Sequence, residues 1–464
     1  MDNTELPRVC LIGCGSSGMP AVKALADRGI PFDCFEASTE VGGNWCYRNP
    51  NGMSAAYESL HINTHAGLMQ YEDYPMPEGT PDYPSHGTIK RYFDDYMDHF
   101  GLRDRVCFET KVTRAERLDD GTWEVTTEGR HAKTDHYDVL IVANGHHWKP
   151  RWPDPPYPGE FDGIQMHSHS YMNPQDPYDF QDKNVLVVGM GNSAMDIASE
   201  LSRPGLAKNL YHSARHGHWV VPKYMLGKPT SELSRLPHWM PWWVGSIATR
   251  LLVELTVGSP DKYGLQKPDH KPLEAHPTLS SDFLHRVGSG DIVPRPGIER
   301  FNGDTVRFTD GHEDPVDIVI WATGYEVSFP FFDPDFISAP NNDLPRWEHL
   351  MLPEYDNLFF LGLFQPLGAI MPFAEKQAKI VGDHLLGRIH FPDPDTMRRE
   401  MDKERQAMVK RYGRGARHTM QVDNEDYHHR LDVMRKKGEK RAAANGRRLP
   451  IAPRAGRGDG RKAA

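Results

Sequence analysis

The chain has 464 residues and 52.7 kDa, with 38% hydrophobic and 25% charged residues, 41 Gly and 38 Pro, which suits about three folded domains and excludes a disordered chain. A formal net charge of −10 and a pI near 6.2 argue against a nucleic-acid binder working through its whole surface. Five cysteines without a Cys-x-x-Cys pair exclude a disulfide framework and a zinc site, and fit reduced thiols in a cytoplasmic protein.

The first seven residues are polar, and an apolar strand begins by Val9, so a cleavable signal peptide is not expected. Val9-Cys10-Leu11-Ile12 leads into Gly13-Cys14-Gly15-Ser16-Ser17-Gly18, and Ala21, Val22, Ala24 and Leu25 follow at helical spacing. This reads as the opening of a βαβ dinucleotide-binding unit. Gly13 permits the tight turn, Gly15 lets the backbone approach a pyrophosphate, and Gly18 permits close packing of helix on strand, while the helix N-terminus favours the anion. The acid expected about 20 positions on is Glu36, closing Phe32-Asp33-Cys34-Phe35-Glu36. A carboxylate there hydrogen-bonds a ribose 2′-hydroxyl and selects FAD or NAD.

Further along, Trp123-Glu124-Val125-Thr126-Thr127 alternates as a half-exposed strand, and Val139-Leu140-Ile141-Val142-Ala143 reads as a buried one. The Pro-rich stretch 149–158 reads as a crossing between domains. A second unit follows: Val185-Leu186-Val187-Val188, then Gly189-Met190-Gly191-Asn192-Ser193-Ala194, then Ile197, Ala198 and Leu201. Its next strand, Leu210-Tyr211-His212-Ser213, ends without an acid. Ser213 and Arg215 are therefore expected to receive a 2′-phosphate, which points to NADP. Segment 239–258 is broken by Pro241 and charged at Arg250 and Glu254, too interrupted to span a bilayer. It reads as a buried or dimer-forming helix, or as an entrance or lipid-resting surface. Residues 318–322 and 358–361 read as buried strands and 329–345 as a second Pro-rich crossing. Finally, residues 435–464 carry 11 Lys/Arg against two acids, a local +9 that leaves about −19 on 1–434, and read as a solvated, disordered tail.

A flavin site and a separate NADP site imply hydride transfer between two cofactors. Cys10 and Cys14 straddle the turn of the phosphate loop and read as small buried residues, not as a redox pair. With no dithiol, no metal-ligand spacing and no nucleophile-base ordering, molecular oxygen is the expected electron acceptor.

These residues resemble the flavin-containing monooxygenases. Phe161-x-Gly163-x3-His167-x3-Tyr171 matches that family's fingerprint just before the NADP loop, and Glu36-x5-Gly42-Gly43-x-Trp45 looks like its second flavin motif. His61-Ile62-Asn63-Thr64, followed by Asp73-Tyr74-Pro75, resembles the segment whose Asn reaches the isoalloxazine edge. Asn144-Gly145-His146, Ala322-Thr323-Gly324-Tyr325, and Phe364-Gln365-Pro366-Leu367-Gly368 ahead of Glu375 and Gln377 extend the likeness to about residue 423. The resemblance implies an α/β fold of two Rossmann-like dinucleotide-binding domains, with the NADP domain inserted into a split FAD domain. The expected parts are a first FAD lobe at 1–150, the NADP domain at 151–315, a second FAD lobe at 316–425 and the basic tail at 426–464.

It further implies FAD held by Gly13, Gly15, Ser16, Ser17, Gly18, Glu36, Gly43, Asn44, Trp45, His61, Asn63, Val112 and Gln365. NADPH would be held by Tyr171, Gly189, Gly191, Asn192, Ser193, Ala194, Ser213, Arg215, Ala322, Thr323, Gly324 and Tyr325. The reaction implied is oxygenation of nitrogen or sulfur in a small soft nucleophile, an amine or sulfide, through a flavin C4a-(hydro)peroxide. Asn63 is the candidate catalytic residue, because a neutral amide can hydrogen-bond the flavin or peroxide without supplying a proton for its collapse. The alternative is a Baeyer–Villiger monooxygenase acting on ketones, whose fingerprint ends in Trp where Tyr171 stands here. No metal, nucleic-acid partner or transmembrane segment is expected, and a homodimer is the default assembly.

Overall fold

The computed structural model describes residues 5–233, 242–270, 278–366, 368–412 and 420–454. The chain begins with β1 (Val9–Ile12), α1 (Gly18–Asp27), β2 (Phe32–Phe35), α2 (His86–His99) and β3 (Val106–Cys107). A three-stranded antiparallel sheet, β4 (Thr110–Arg117), β5 (Trp123–Gly129) and β6 (Lys133–Tyr137), precedes β7 (Val139–Val142) and β8 (Lys149–Pro150). Next come β9 (Ile164–His167), β10 (Asn184–Val188), α3 (Asn192–Leu201), β11 (Asn209–Ser213), α4 (Trp242–Thr256), β12 (Val293–Arg295), β13 (Ile298–Asn302), β14 (Thr305–Phe308), β15 (Glu313–Pro315) and β16 (Ile318–Trp321). The chain closes with β17 (Tyr325–Glu326), β18 (Leu358–Phe360), α5 (Met371–Leu385), α6 (Pro394–Tyr412) and α7 (Asn424–Ala444).

Two parallel sheets organise these elements, one ordered β18-β7-β1-β2-β3 and the other β12-β11-β10-β16-β9. The inner strands β1, β7, β10 and β16 are buried apolar runs, apart from the half-buried Asn184 at the head of β10, as strands covered on both faces must be. In each sheet the chain winds outward from a central strand on one side and then returns on the other. The crevice between β1 and β7, and the one between β10 and β16, are therefore the switch points where such sheets bind nucleotides.

The boundary expected at residue 315 moves. Val185 to Val188 pair in parallel with Ile318 to Trp321, so β16 is a central strand of the second sheet and not the start of the returning flavin lobe. An isolated buried run does not reveal which sheet it joins. The crossing itself is a two-strand ribbon, in which Pro150 pairs with Tyr325 and Lys149 with Glu326. The stretch 329–345 does not cross at all. Its Phe329, Phe331, Phe332, Ile337 and Ala339 are buried in the core cluster that holds Trp123 and Phe360.

The second correction concerns the basic tail. Residues 424–444 form helix α7, which buries Tyr427, Leu431, Met434, Gly438 and Ala442, and Ile451 beyond it is buried too. Asp423 caps this helix by accepting from the Asp426 N–H, and the Arg454 N–H reaches back to Asp138 beside β7. The charges lie on the outer face of a packed helix. Residues 455–464, part of segment 239–258 and Leu367 fall outside the described residues. No described helix is long and apolar enough to cross a membrane.

Leu431 is fully buried among the residues of the first core. Leu431→Ala should therefore cost about 2–5 kcal/mol in chemical denaturation. A disordered tail would show no change.

Candidate functional site

The two switch points are built alike. The Gly13 N–H donates to the Phe35 carbonyl (2.8 Å) and the Gly189 N–H to the Ser213 carbonyl (3.0 Å), so each loop leaves its strand in the same direction. Gly13 has φ +95° and Gly189 φ +138°. A Cβ on either would meet the backbone oxygen of the facing strand's next residue, Ala143 at 2.6 Å or Ala322 at 2.3 Å. Only glycine fits at both places. Gly18 is pressed equally hard, with the Gly13 oxygen 2.0 Å from its would-be Cβ, whereas Ala194 fills the matching place in the second loop and is fully buried.

Gly15 and Gly191 differ from these in a telling way. A Cβ on Gly191 would meet no protein atom within 4 Å, and one on Gly15 would meet only Gly43, at 3.6 Å or beyond. Protein packing does not demand glycine there. Open space at the N-terminus of α3, where backbone N–H groups point outward, suits a pyrophosphate.

Around the first loop the structure gathers most of the residues expected to hold a flavin nucleotide. Glu36 is buried, and its carboxylate accepts from the Cys14 N–H (2.7 Å) and the Ser38 N–H (2.8 Å). Burial pushes its pKa up while these bonds pull it down. Two lone-pair positions remain for ribose hydroxyls. The Ser16 carbonyl accepts from the Tyr71 hydroxyl at 2.6 Å, and Ser17 lies against Gly362, whose added Cβ would be 2.0 Å from its Oγ. Gly43, Asn44 and Trp45 form one short turn, with the Asn44 Oδ1 bonded to the Ala55 N–H. Gln365 is half-buried where the second lobe pairs with Gln421. His61 is exposed and bonds the Ser59 carbonyl, and Val112 turns into the core.

Asn63 is half-buried on the 61–65 segment, and its Oδ1 is a buried polar atom without a hydrogen-bond partner. Buried amide oxygens are rarely left so. A carboxamide in this state is open to a bound partner, whichever of its two ends faces it.

The second loop opens on a cleft of about 1240 Å³ whose walls include Gly189, Gly191, Arg215, Ala322, Thr323 and Gly324 on one side and residues 151–158 and 327–342 on the other. Arg215 is exposed at its edge, as a 2′-phosphate ligand must be. Ser213 is not available in the same way, since its buried hydroxyl donates to the Pro296 carbonyl at 2.5 Å. Asn192 spends its Oδ1 on the Leu279 N–H (3.0 Å), which leaves its backbone N–H and that of Ser193 at the helix start. Tyr171 is the clearest departure from expectation. It is fully buried between Tyr57 and Phe180 and donates its hydroxyl to Glu200 at 2.9 Å, so it braces the domain seam instead of touching a nucleotide.

Tyr325 is a hub, with the rings of His147, His167 and His169 all within 5.8 Å of its own. His167 is buried, and burial pushes its pKa down to about 4, so the ring is neutral. Sequence reasoning missed His212. Its Nε2–H donates to the Gly189 carbonyl at 2.6 Å from beneath the second loop, and burial holds this ring near 4 as well. A histidine on a buried strand gives no sequence signal of such a role. Among the described residues no cluster of His, Cys, Asp or Glu could hold a metal ion, and all five cysteines are free.

Comparison with known proteins agrees with this arrangement. The flavin-binding monooxygenase-like family model matches residues 7–439. The chain is 34% identical over 434 residues to flavin-containing monooxygenase 5 of Rattus norvegicus, covering 90% of this chain and 80% of that protein. It is 30% identical over 442 residues to the N-oxide-forming dimethylaniline monooxygenase 2 of Macaca mulatta, covering 90% and 81%. Its fold matches that of S-allyl-L-cysteine S-oxygenase from Allium sativum with a TM-score of 0.69 at 23% identity, covering 95% and 93% of the two chains.

Two outcomes follow from the geometry. Gly191→Val should leave the melting temperature and flavin content unchanged while weakening NADPH binding about tenfold or more, read by titration of the nucleotide. Because His167 and His212 are neutral in the fold near pH 6.5 and ionise freely when unfolded, their contribution to stability is complete above pH 6.5 and lost as pH falls toward about 4. Denaturation midpoints should drop over that interval. An equally steep drop in a folded His212→Gln variant would contradict the assignment for that ring.

Proposed function

Because the chain belongs to the flavin-binding monooxygenase-like family, we propose that it oxygenates the nitrogen or sulfur of small soft nucleophiles, using NADPH and molecular oxygen. The enzyme is a FAD- and NADPH-dependent monooxygenase. The observation that carries the substrate reading is the buried Asn63 Oδ1, a neutral amide oxygen left without a hydrogen-bond partner. Bound flavin supplies the redox chemistry and the activation of oxygen.

What the chain contributes is placement. The Gly13 to Gly18 loop and Glu36 hold one nucleotide, and the Gly189 to Ala194 loop and Arg215 hold the other, on sheets joined by the Pro150–Tyr325 ribbon. Asn63 offers a neutral hydrogen bond that does not hand over a proton. The His167 ring against Tyr325 is likewise neutral. Such a site excludes water and orients groups, and leaves bond-making to the cofactor. Five free thiols suit work in the cytoplasm, four of them buried.

Incubation with NADPH, oxygen and, in parallel, a tertiary amine, a thioether and a cyclic ketone tests this reading. N-oxide or sulfoxide is the expected product, and ester or lactone as the only product would overturn it. Asn63→Ala should keep its FAD but divert NADPH oxidation into hydrogen peroxide, with product per NADPH falling about tenfold. An unchanged yield would remove Asn63 from the chemistry.

A further inference from the structure

The seam between the two nucleotide domains carries a set of polar contacts that the cofactor cradles do not explain. Several side chains and backbone groups of the first FAD lobe bond directly to the NADP domain, four of them near the segment that carries Asn63. The Tyr57 hydroxyl donates to Asp196 on α3 (2.6 Å), and the Ser59 hydroxyl to Glu200 one turn later (2.7 Å). The His65 N–H donates to the Ser231 hydroxyl (3.1 Å), and the Tyr83 hydroxyl to the Lys223 carbonyl (2.6 Å). Of the contacts that run the other way, one reaches the segment that carries Asn63. The Lys223 ammonium donates to the Ile62 carbonyl at 3.3 Å.

That carbonyl belongs to the peptide group whose nitrogen is Asn63's own. Holding it holds the peptide plane and the N–Cα bond from which the Asn63 side chain is hung. The Lys223 ammonium also lies 5.2 Å over the Tyr83 ring, a cation–π distance, and Asp196 is the carboxylate whose field acts on it. Burial lowers the Lys223 pKa, and Asp196 opposes that loss of charge. Asp196 sits one turn into the helix whose first N–H groups face the second nucleotide loop.

We propose that Lys223 is a positioning residue for Asn63: its ammonium, lent by the NADP domain and lying over the Tyr83 ring, clamps the Ile62–Asn63 peptide so that the Asn63 amide faces the flavin. The inference rests on the placement of Asn63 at the flavin proposed above. It adds a route by which the arrangement of the NADP domain bears on the flavin environment without any nucleotide atom touching Asn63. Among these contacts, the Lys223 bond is the one that ends on the peptide group of Asn63, so the clamp is a single replaceable side chain.

The test compares Lys223→Met, which keeps the stem and removes the charge and the donor, with Lys223→Arg, which restores both, each as the full chain loaded with FAD. Three readings are taken: the visible absorption spectrum of the bound flavin, the KM for NADPH against the turnover rate, and the fraction of NADPH oxidation released as hydrogen peroxide. Lys223→Met should retain FAD, shift the flavin spectrum, change KM for NADPH less than turnover and raise the peroxide fraction about tenfold, within the range that misplacing a positioned group costs. Lys223→Arg should recover most of the coupling. A Lys223→Met protein with a lowered melting temperature but a wild-type flavin spectrum and wild-type coupling overturns the proposal, because a merely structural lysine gives that pattern. Asp196→Asn should shift the spectrum in the same direction as Lys223→Met. An unaltered spectrum in Asp196→Asn contradicts the part assigned to Asp196. If the wild-type protein makes no oxygenated product, the proposed function fails, yet the spectral comparison still decides the clamp.

Discussion

The architecture depends on two places where one strand end must come closer to its neighbour than any side chain permits. At Gly13 and again at Gly189, the backbone oxygen after the facing strand, that of Ala143 or Ala322, occupies the volume of the missing Cβ. The Ala143 N–H bonds the Ile12 carbonyl and the Ala322 N–H bonds the Val188 carbonyl, both at 2.8 Å, so each close approach is locked by the last rung of a parallel ladder. That approach opens a crevice at the carboxyl end of each sheet and aims a helix N-terminus into it. The glycine requirement there comes from the fold. At Gly15 and Gly191 it comes instead from what the loops hold, since protein atoms leave room for a side chain there.

Two such crevices make an oxidoreductase only if they face each other, and the seam decides that. The Pro150–Tyr325 ribbon sets the two sheets side by side, while Tyr57, Ser59, His65 and Tyr83 tie the first lobe to α3 and to the segment after β11. Tyr171 contributes from beneath by bonding Glu200, which also receives the Ser59 hydroxyl. The fingerprint segment that carries Tyr171 is thus a brace. Its His167 packs on Tyr325 at the start of the return path. The two domains are thus joined by direct hydrogen bonds between side chains.

Much of this was legible from the amino-acid sequence because it rests on local rules. A short apolar run, a glycine triplet and a helical repeat specify each nucleotide unit, and the acid at position 36 follows from strand length. What stayed hidden depends on partners far away in the chain. Strand 318–321 looks the same whichever sheet it joins, and only its register with Val185 to Val188 assigns it. Helix 424–444 conceals a sparse seam of Tyr427, Leu431, Met434, Gly438 and Ala442 under a basic surface, so net charge alone suggested disorder. A serine at a strand end carries no mark of the Pro296 carbonyl that takes the Ser213 hydroxyl, and Lys223 gives no signal because its partner is a backbone carbonyl 161 residues away.

The most direct measurement is a crystal structure of the chain with FAD and NADP⁺ bound. The account predicts the Asn63 carboxamide within about 3 Å of a flavin or nicotinamide atom, ending its lack of a partner, with the pyrophosphates lying over Gly15 and Gly191. An Asn63 amide satisfied by protein or water alone, with the flavin ring out of its reach, would contradict the account.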